Sequence, residues 1–434
     1  MNKIPVVAIR SNDNCFLDIL RCCGTAGIPV VPVVFTWATA GPWYSEYSRY
    51  YCNPVKICNP AEDEQASIAG LLDLGKKLFS DFGQRVVIIP SSDTSHVLIQ
   101  KHFEELNPYY LQMGAADFSN DVYAIASKDI FCARLSDAGI GIPDSYPCLC
   151  ADDIPQIVDA VSYPCIYKPV LKDTSNTFYT AHQGLKAVEC SDKEMLGRLL
   201  LKEMKAGFRL IVQEKIVFTN RADEYSCYVY SDAVQKVRMI SGQYKLDEYP
   251  KPYGTGFISK FHADPEVFAI AEKVVQVLKW RGFIGIEFMR DIKDGKWKII
   301  EANLRPWLSI YFQASQGFNY IDYFYKDACG KLDSSLEAKT GHSDAENPVF
   351  RINFGVFWNK ISNSSSATSL QSALHEWFKE HQGSYVFTNY ADHDPQPGIK
   401  EIERMILKED EPNKGILMLL LAFMKQNDSE SRQV

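Results

Sequence analysis

Four polar residues late in the chain stand where a β-hairpin would bring them together. Glu287 lies in "GIEFMRD", and Glu301, Asn303 and Arg305 follow in "IIEANLRPW". The last three are each two positions apart, so an extended strand aims them the same way. The stretch "GIEFMRDIKDGKWKIIEAN" reads as a hairpin closed by Lys293-Asp294-Gly295, with glycine in the left-handed position. That register pairs Ile292 with Lys296 and Arg290 with Lys298, and it sets Glu287 directly opposite Glu301. Ile286, Phe288 and Ile300 then face the core. Opposed carboxylates stand ~5 Å apart and repel each other. Met289 and Ile299 flank the pair, where a solvated face would carry lysines. A divalent cation between hard oxygen ligands answers the repulsion. Mg2+ suits it, being commonly held by one or two carboxylates plus substrate phosphates. Spacing alone leaves a solvated pair of surface glutamates equally open.

Phosphates need cations. Lys168 ends the apolar strand "YPCIYKP", and burying an ammonium is costly unless it is paired. Lys128 sits in the first turn of a helix, where a cation opposes the helix dipole. "LIVQEKI" is another strand with a polar end. Its Glu214, with the neighbouring backbone, could meet an adenine edge, and Glu224 could meet ribose hydroxyls. Each of these residues taken alone is more often plain surface.

The elements that must position them begin at the N-terminus. "PVVAIR", "NCFLDILRCCGTAG" and "IPVVPVVF" read as strand, helix and strand, with Asn14 or Asp13 as cap and Gly27 as stop. A helix over "ASIAGLLDLGKKLFSDF", the strand "RVVIIP" and a helix over "SHVLIQKHFEEL" continue the alternation. That pattern implies a parallel sheet over roughly the first 115 residues. No G-x-G-x-x-G follows the first strand, so a dinucleotide site is not supported. Asp93 falls at the carboxyl end of a strand, where open α/β sheets place ligands, but it also reads as a helix N-cap. From Ser127 onward the pattern is α+β, including a helix with a capping box at Ser191 and Glu194. Beyond Gly330 come linker-like stretches, a strand-like "VFRINFGVFW" and the turn "DHDPQPG".

Composition narrows the classes. The chain has 434 residues, 46% hydrophobic and 23% charged, with net charge −8. That balance suits small-molecule chemistry and disfavours a nucleic-acid partner, which wants a basic surface. No signal peptide is evident, and "GILMLLLAFM" falls well short of the ~20 residues that span a bilayer. It reads as a core-facing helix, and the location expected is cytoplasmic. The twelve cysteines form no C-x-x-C pair and read as reduced, buried hydrophobes. A zinc site from Cys52 and Cys58 has poor spacing.

The series now carries a resemblance. A lysine opens a helix that ends "GIP" (Lys128 to Pro143). "KP" (Lys168), "VQEKI", an acidic residue about ten later, "GFIGIEFMRD" and "EANLR" follow in order. Over about residues 1 to 330 this is similar to the ATP-grasp superfamily, and within it to carboxylate–amine ligases of the D-aspartate ligase type. The resemblance implies a Rossmann-like α/β pre-ATP-grasp domain (1–116) followed by a two-lobed α+β ATP-grasp fold. The small lobe would span 117–208, the large lobe with the metal site 209–330, and a small α+β C-terminal extension 331–434. It also implies ATP and Mg2+, with Mn2+ as a substitute. Lys128, Lys168 and Ser175 would contact phosphates. Gln213, Glu214, Lys215 and Ile216 would face adenine, and Glu224 the ribose. Glu287, Glu301 and Asn303 would hold the metal, and Arg305 with Lys168 would act on the reacting groups. The implied reaction is amide formation through an acyl phosphate, with small-molecule amine and carboxylate substrates. A bicarbonate-using carboxylase and an inactive nucleotide-binding module are the alternatives. Oligomeric state stays open, a homodimer being compatible. Two departures stand out. The loop after Lys168, "VLKDTSNTFYTAHQG", has only Thr174, Ser175 and Asn176 as a small polar cluster. Ligases of the D-alanine type also carry arginine two before the first metal acid, where this chain has Gly285. Arg305 or Arg238 would have to supply that charge.

Overall fold

The computed structural model describes residues 3–36, 43–115, 126–171, 177–183, 185–218, 223–249, 255–333, 335, 337–364, 367–410 and 413–431. Strands β1 (Val6–Arg10), β2 (Val30–Phe35), β3 (Val55–Ile57), β4 (Val86–Pro90) and β5 (Tyr110–Leu111) form a parallel sheet in the order β3-β2-β1-β4-β5. β1 and β4 are buried along their whole length, which is why they read as unbroken apolar runs. Helices α1 (Asp13–Thr25), α2 (Glu64–Phe82) and α3 (Asp93–Lys101) connect them. The α1 cap is Asn12, whose side chain accepts from the Cys15 amide, rather than Asp13 or Asn14. Ser92, not Asp93, caps α3, and Asp93 stands in the first turn.

α4 (Lys128–Asp137) leads into an antiparallel sheet of β6 (Ser145–Cys148), β7 (Cys165–Pro169), β8 (Val188–Cys190) and β9 (Leu210–Glu214), ordered β6-β9-β7-β8. Its helix α5 (Lys193–Lys205) is capped by Asp192, which accepts from the Met195 amide, and not by Ser191.

The largest sheet is nine-stranded and mixed. Its main path joins β10 (Glu224–Ser231), β11 (Val237–Tyr249), β12 (Thr255–Phe261), β13 (Trp280–Arg290), β14 (Trp297–Asn303), β15 (Val349–Ile352) and β16 (Ser384–Phe387) in the order β14-β13-β10-β11-β12-β15-β16. α6 (Pro265–Leu278) covers one face, with Asp264 as cap and Pro265 at its first position. The strand expected over "VFRINFGVFW" stops at Ile352. The Asn353 side chain accepts from the Val356 amide, and α7 (Phe354–Ser364) begins there.

One apolar core joins the parallel sheet to the large sheet, running from Val6, Phe16 and Leu20 to Tyr228, Phe283 and Trp307. The small antiparallel sheet has its own core. The C-terminal segment carries α8 (Gln396–Ile406) and α9 (Asn413–Ser431). α9 buries Leu417 and Met424 but leaves Met418 and Leu419 exposed, so only one side of it faces a core. No helix among the described residues is long and apolar enough to cross a membrane.

Candidate active site

The hairpin of β13 and β14 pairs Glu287 with Glu301, but by a different route from the one the spacing suggested. Arg290 pairs with Trp297 rather than Lys298, because the turn is wider. Asp291 is fully buried there; its carboxylate accepts from the Lys293 amide at 3.1 Å and from the Lys298 ammonium at 3.0 Å. A β-bulge at Ile300 then restores the pairing between Glu287 and Glu301. Because of the bulge, Ile299 and not Ile300 joins Ile286 and Phe288 in the core. The Ile300 carbonyl is freed and accepts from the Lys168 ammonium at 3.1 Å. Lys168 itself is 7% exposed at the end of β7.

Asn303 stands two residues beyond Glu301, and its Nδ2 donates to Glu287 at 3.3 Å. Two carboxylates and an amide thus converge at one end of the hairpin. Among the described residues no group of three or more His, Cys, Asp or Glu could hold a metal ion. Two acidic ligands plus an amide fit a hard cation that shares its coordination with phosphate oxygens. The Asn303 oxygen now accepts from Arg305 at 3.1 Å, so ligation through it requires the amide to turn.

The residues that the resemblance assigns to the nucleotide are placed as follows. The Lys128 amide donates to the Val170 carbonyl, tying the start of α4 to the chain just past Lys168. Lys128 and Glu301 line one pocket. Gln213 donates to Ser145 at 2.7 Å, and its side-chain oxygen is buried without a partner. Glu214 is committed: it accepts from the Lys298 ammonium at 2.6 Å and from the Asp144 amide at 3.2 Å. The Lys215 side chain turns away to Glu189 at 2.6 Å. Glu224 is buried and pairs with Lys245 at 3.2 Å. Ser175 lies outside the described residues.

Arg305 has a partner that the sequence did not reveal. Its Nε and Nη2 each donate to one oxygen of Asp93, both at 2.9 Å. Burial opposes its charge, but the Asp93 carboxylate outweighs this and the pKa rises. The missing arginine at Gly285 has a steric reason. A Cβ there would sit 3.3 Å from the rings of Trp307 and Tyr228, which stack at 4.1 Å between centroids. Arg238 does not replace it, since it pairs with Asp232 at 2.6 Å.

Two further cations stand on the strands of the large sheet. Lys245 on β11 lies between Glu224 and Glu248; burial lowers its pKa, these carboxylates more than offset that, and the net shift is upward. Arg351 on β15 is buried and donates to the Leu308 carbonyl at 2.7 Å. Both escaped the sequence reading. The signal for Lys245 was the alternation Ser241, Gln243, Lys245 against Ile240 and Tyr244, which marks a strand with one polar face.

No family model matches the chain. A D-aspartate ligase of Enterococcus faecium (strain Aus0004) is 23% identical over 288 residues, a match covering 63% of this chain and 66% of that protein, just under two-thirds of its length. The L-amino acid ligase of Bacillus licheniformis superposes with a TM-score of 0.54 at 15% identity, covering 78% of both chains. The N5-carboxyaminoimidazole synthetase of Staphylococcus aureus gives 0.57 at 15% identity over 84% of this chain and 86% of that one. Biotin carboxylase of Campylobacter jejuni gives 0.56 at 14% identity over 78% and 74%. With its lysine-ended strand, bulged acidic hairpin and polar sheet face, the chain shares the fold of these ligase, synthetase and carboxylase structures and is similar in sequence to a D-aspartate ligase.

Proposed function

We propose that the chain is an ATP- and magnesium-dependent ligase that joins a carboxylate to an amine and releases ADP and phosphate. The observation that carries this reading is the hairpin end. Glu287 and Glu301 are paired there, and the Lys168 ammonium docks on the bulge between their strands. A paired acidic site beside a buried cation is what polyphosphate and a divalent ion need together. Lys128 and Lys168 serve the phosphates, Gln213 with the backbone from Glu214 to Ile216 serves adenine, and Glu224 serves ribose. Glu287, Glu301 and Asn303 would hold Mg2+, which when bound neutralises phosphate charge. The boundaries 1–116, 117–208, 209–330 and 331–434 belong to the same reading.

In the first step a substrate carboxylate oxygen attacks the γ-phosphorus, and the bond to the ADP oxygen breaks. The amine nitrogen then attacks the acyl carbon, and phosphate leaves with the electron pair of the broken C–O bond. Neither step needs a protein nucleophile. The fold supplies alignment and charge, the main sources of rate in phosphoryl transfer. Arg305 stands two residues past Asn303, where a reacting carboxylate or phosphate would be neutralised.

The test is a phosphate-release screen of the full chain with MgATP. Amino acids, including both enantiomers of aspartate, would be paired with amines, and bicarbonate would be run alone. Release that needs both an acid and an amine supports the ligase. Release with bicarbonate alone transfers the site to carboxylation.

A further inference from the structure

We propose that Asp93 and His96, both on α3, receive the ammonium group of the amine substrate: Asp93 holds it, and His96 takes the proton that it loses before it attacks. This rests on the ligase reading above.

The two residues are three apart on a helix and so share a face. Both line the pocket whose other walls carry Lys128 and Glu301. The parallel sheet thus contributes one wall of the cavity that the phosphate-side lysine and the metal-side carboxylate close from the other directions. The Arg305 fork fixes Asp93 through both oxygens. A carboxylate has about four lone-pair sites, more than a single guanidinium fork uses. His96 is 5% exposed, and its Nε2 is buried with no hydrogen-bond partner. Buried ring nitrogens are usually satisfied, and one left open beside a pocket calls for a partner, which a ligand donor can supply. Neither residue has a task in binding the nucleotide or the metal.

The ring's charge state suits a proton acceptor. Burial pulls the His96 pKa down to about 4, so the imidazole is neutral at physiological pH. The charged groups facing it are Asp93 on its own helix, which favours the imidazolium, and Arg305 beyond β14, which opposes it. Lys128 and Glu301 stand on the other pocket walls. Phosphate oxygens entering the cavity add negative charge and raise the basicity of the ring. In the step itself the ammonium gives one proton to His96, and its nitrogen lone pair forms the bond to the acyl carbon. The C–O bond to phosphate breaks, and the second proton departs with the phosphate as its monoprotonated dianion.

The test compares two acceptors in the full-length protein, with D-aspartate as the first acid tried and the acid found by the phosphate-release screen otherwise. Ammonium chloride must be bound and deprotonated, whereas hydroxylamine is already uncharged at neutral pH. In His96→Gln, amide formation from ammonium is expected to fall about a hundredfold while hydroxamate formation stays within about twofold of wild type. Raising the pH should restore the lost activity about tenfold per unit as free amine accumulates. Asp93→Asn should raise KM for ammonium and leave KM for hydroxylamine unchanged. Equal loss with both acceptors, or no loss with ammonium, overturns the assignment. A wild-type protein that forms no hydroxamate with any acid refutes the ligase reading itself, and this inference falls with it.

Discussion

The Lys168 ammonium donates to the carbonyl of Ile300, 3.1 Å away, and Ile300 is the residue that bulges out of the hairpin. One irregularity in β14 therefore does two things: it keeps Glu301 opposite Glu287, and it gives the small sheet's lysine an anchor on the large sheet. Replacing Lys168 by Met removes the charge from the site proposed to meet phosphate. Steady-state kinetics should show kcat/KM for ATP reduced by about a hundredfold or more, as for loss of one donor to developing charge. A Lys168→Met protein with wild-type turnover would show that this cation does not face the nucleotide.

Glu287 and Glu301 are directly opposed on the ladder, and like charges in that arrangement destabilise a sheet. Glu287→Gln or Glu301→Gln should raise the melting temperature of the ligand-free protein, by an amount worth about 0.2–1 kcal/mol. The same variants should lose the further stabilisation that MgATP gives wild type, since only a ligand bound by the native state shifts the transition. Thermal unfolding with and without MgATP reads both effects, and their opposite signs separate a binding site from a solvated surface pair.

Arg21 ties the C-terminal segment to the parallel sheet. It is fully buried, pairs with Asp394 at 2.9 Å, and donates to the carbonyls of Thr388, Asn389 and Asp394. Asp394 also accepts from the Ser48 hydroxyl and the Arg49 amide, both at 2.9 Å. Arg21→Met leaves that carboxylate buried and partly unpaired, at a cost of about 3–5 kcal/mol in denaturant unfolding. Arg21→Met with Asp394→Asn should cost less than the two single changes added together.

A pH dependence follows from Glu401 on α8. Burial raises its pKa from the ordinary carboxylate value to about 7. The folded state then binds a proton that the unfolded chain releases near 4.5. Stability from this group is complete below that value and is lost as pH rises through 7. Glu401→Gln should flatten this decline in chemical denaturation between pH 5 and 8, with a gain of at most about 3 kcal/mol at the alkaline end.

Alternation carried most of what the sequence disclosed. The spacing of Glu301, Asn303 and Arg305 placed three polar side chains at one strand end, and the apolar runs of β1 and β4 announced a parallel sheet. The Glu287 and Glu301 pairing emerged from two offsets that cancel. The turn is wider than expected because Asp291 is buried on Lys298, and the bulge at Ile300 shifts the register back. Neither is visible in a hydrophobic pattern, since both depend on where a carboxylate or a carbonyl finds its partner. The Arg305 and Asp93 pair was hidden for a simpler reason. Its members lie 212 residues apart and meet only when the parallel sheet packs on the large one. Glu214, expected to face adenine, also accepts from Lys298, a lysine whose direction was set by the altered register.

The most direct measurement is positional isotope exchange in ATP labelled at the β,γ-bridging oxygen, run with Mg2+ and a carboxylate substrate and without amine. Reversible transfer of the γ-phosphoryl group to the carboxylate frees the ADP end to rotate, so the label should scramble only when the acid is present. Glu301→Gln should abolish the exchange. Scrambling that ignores the acid, or an amide product formed with release of AMP and pyrophosphate, would contradict an acyl-phosphate ligase.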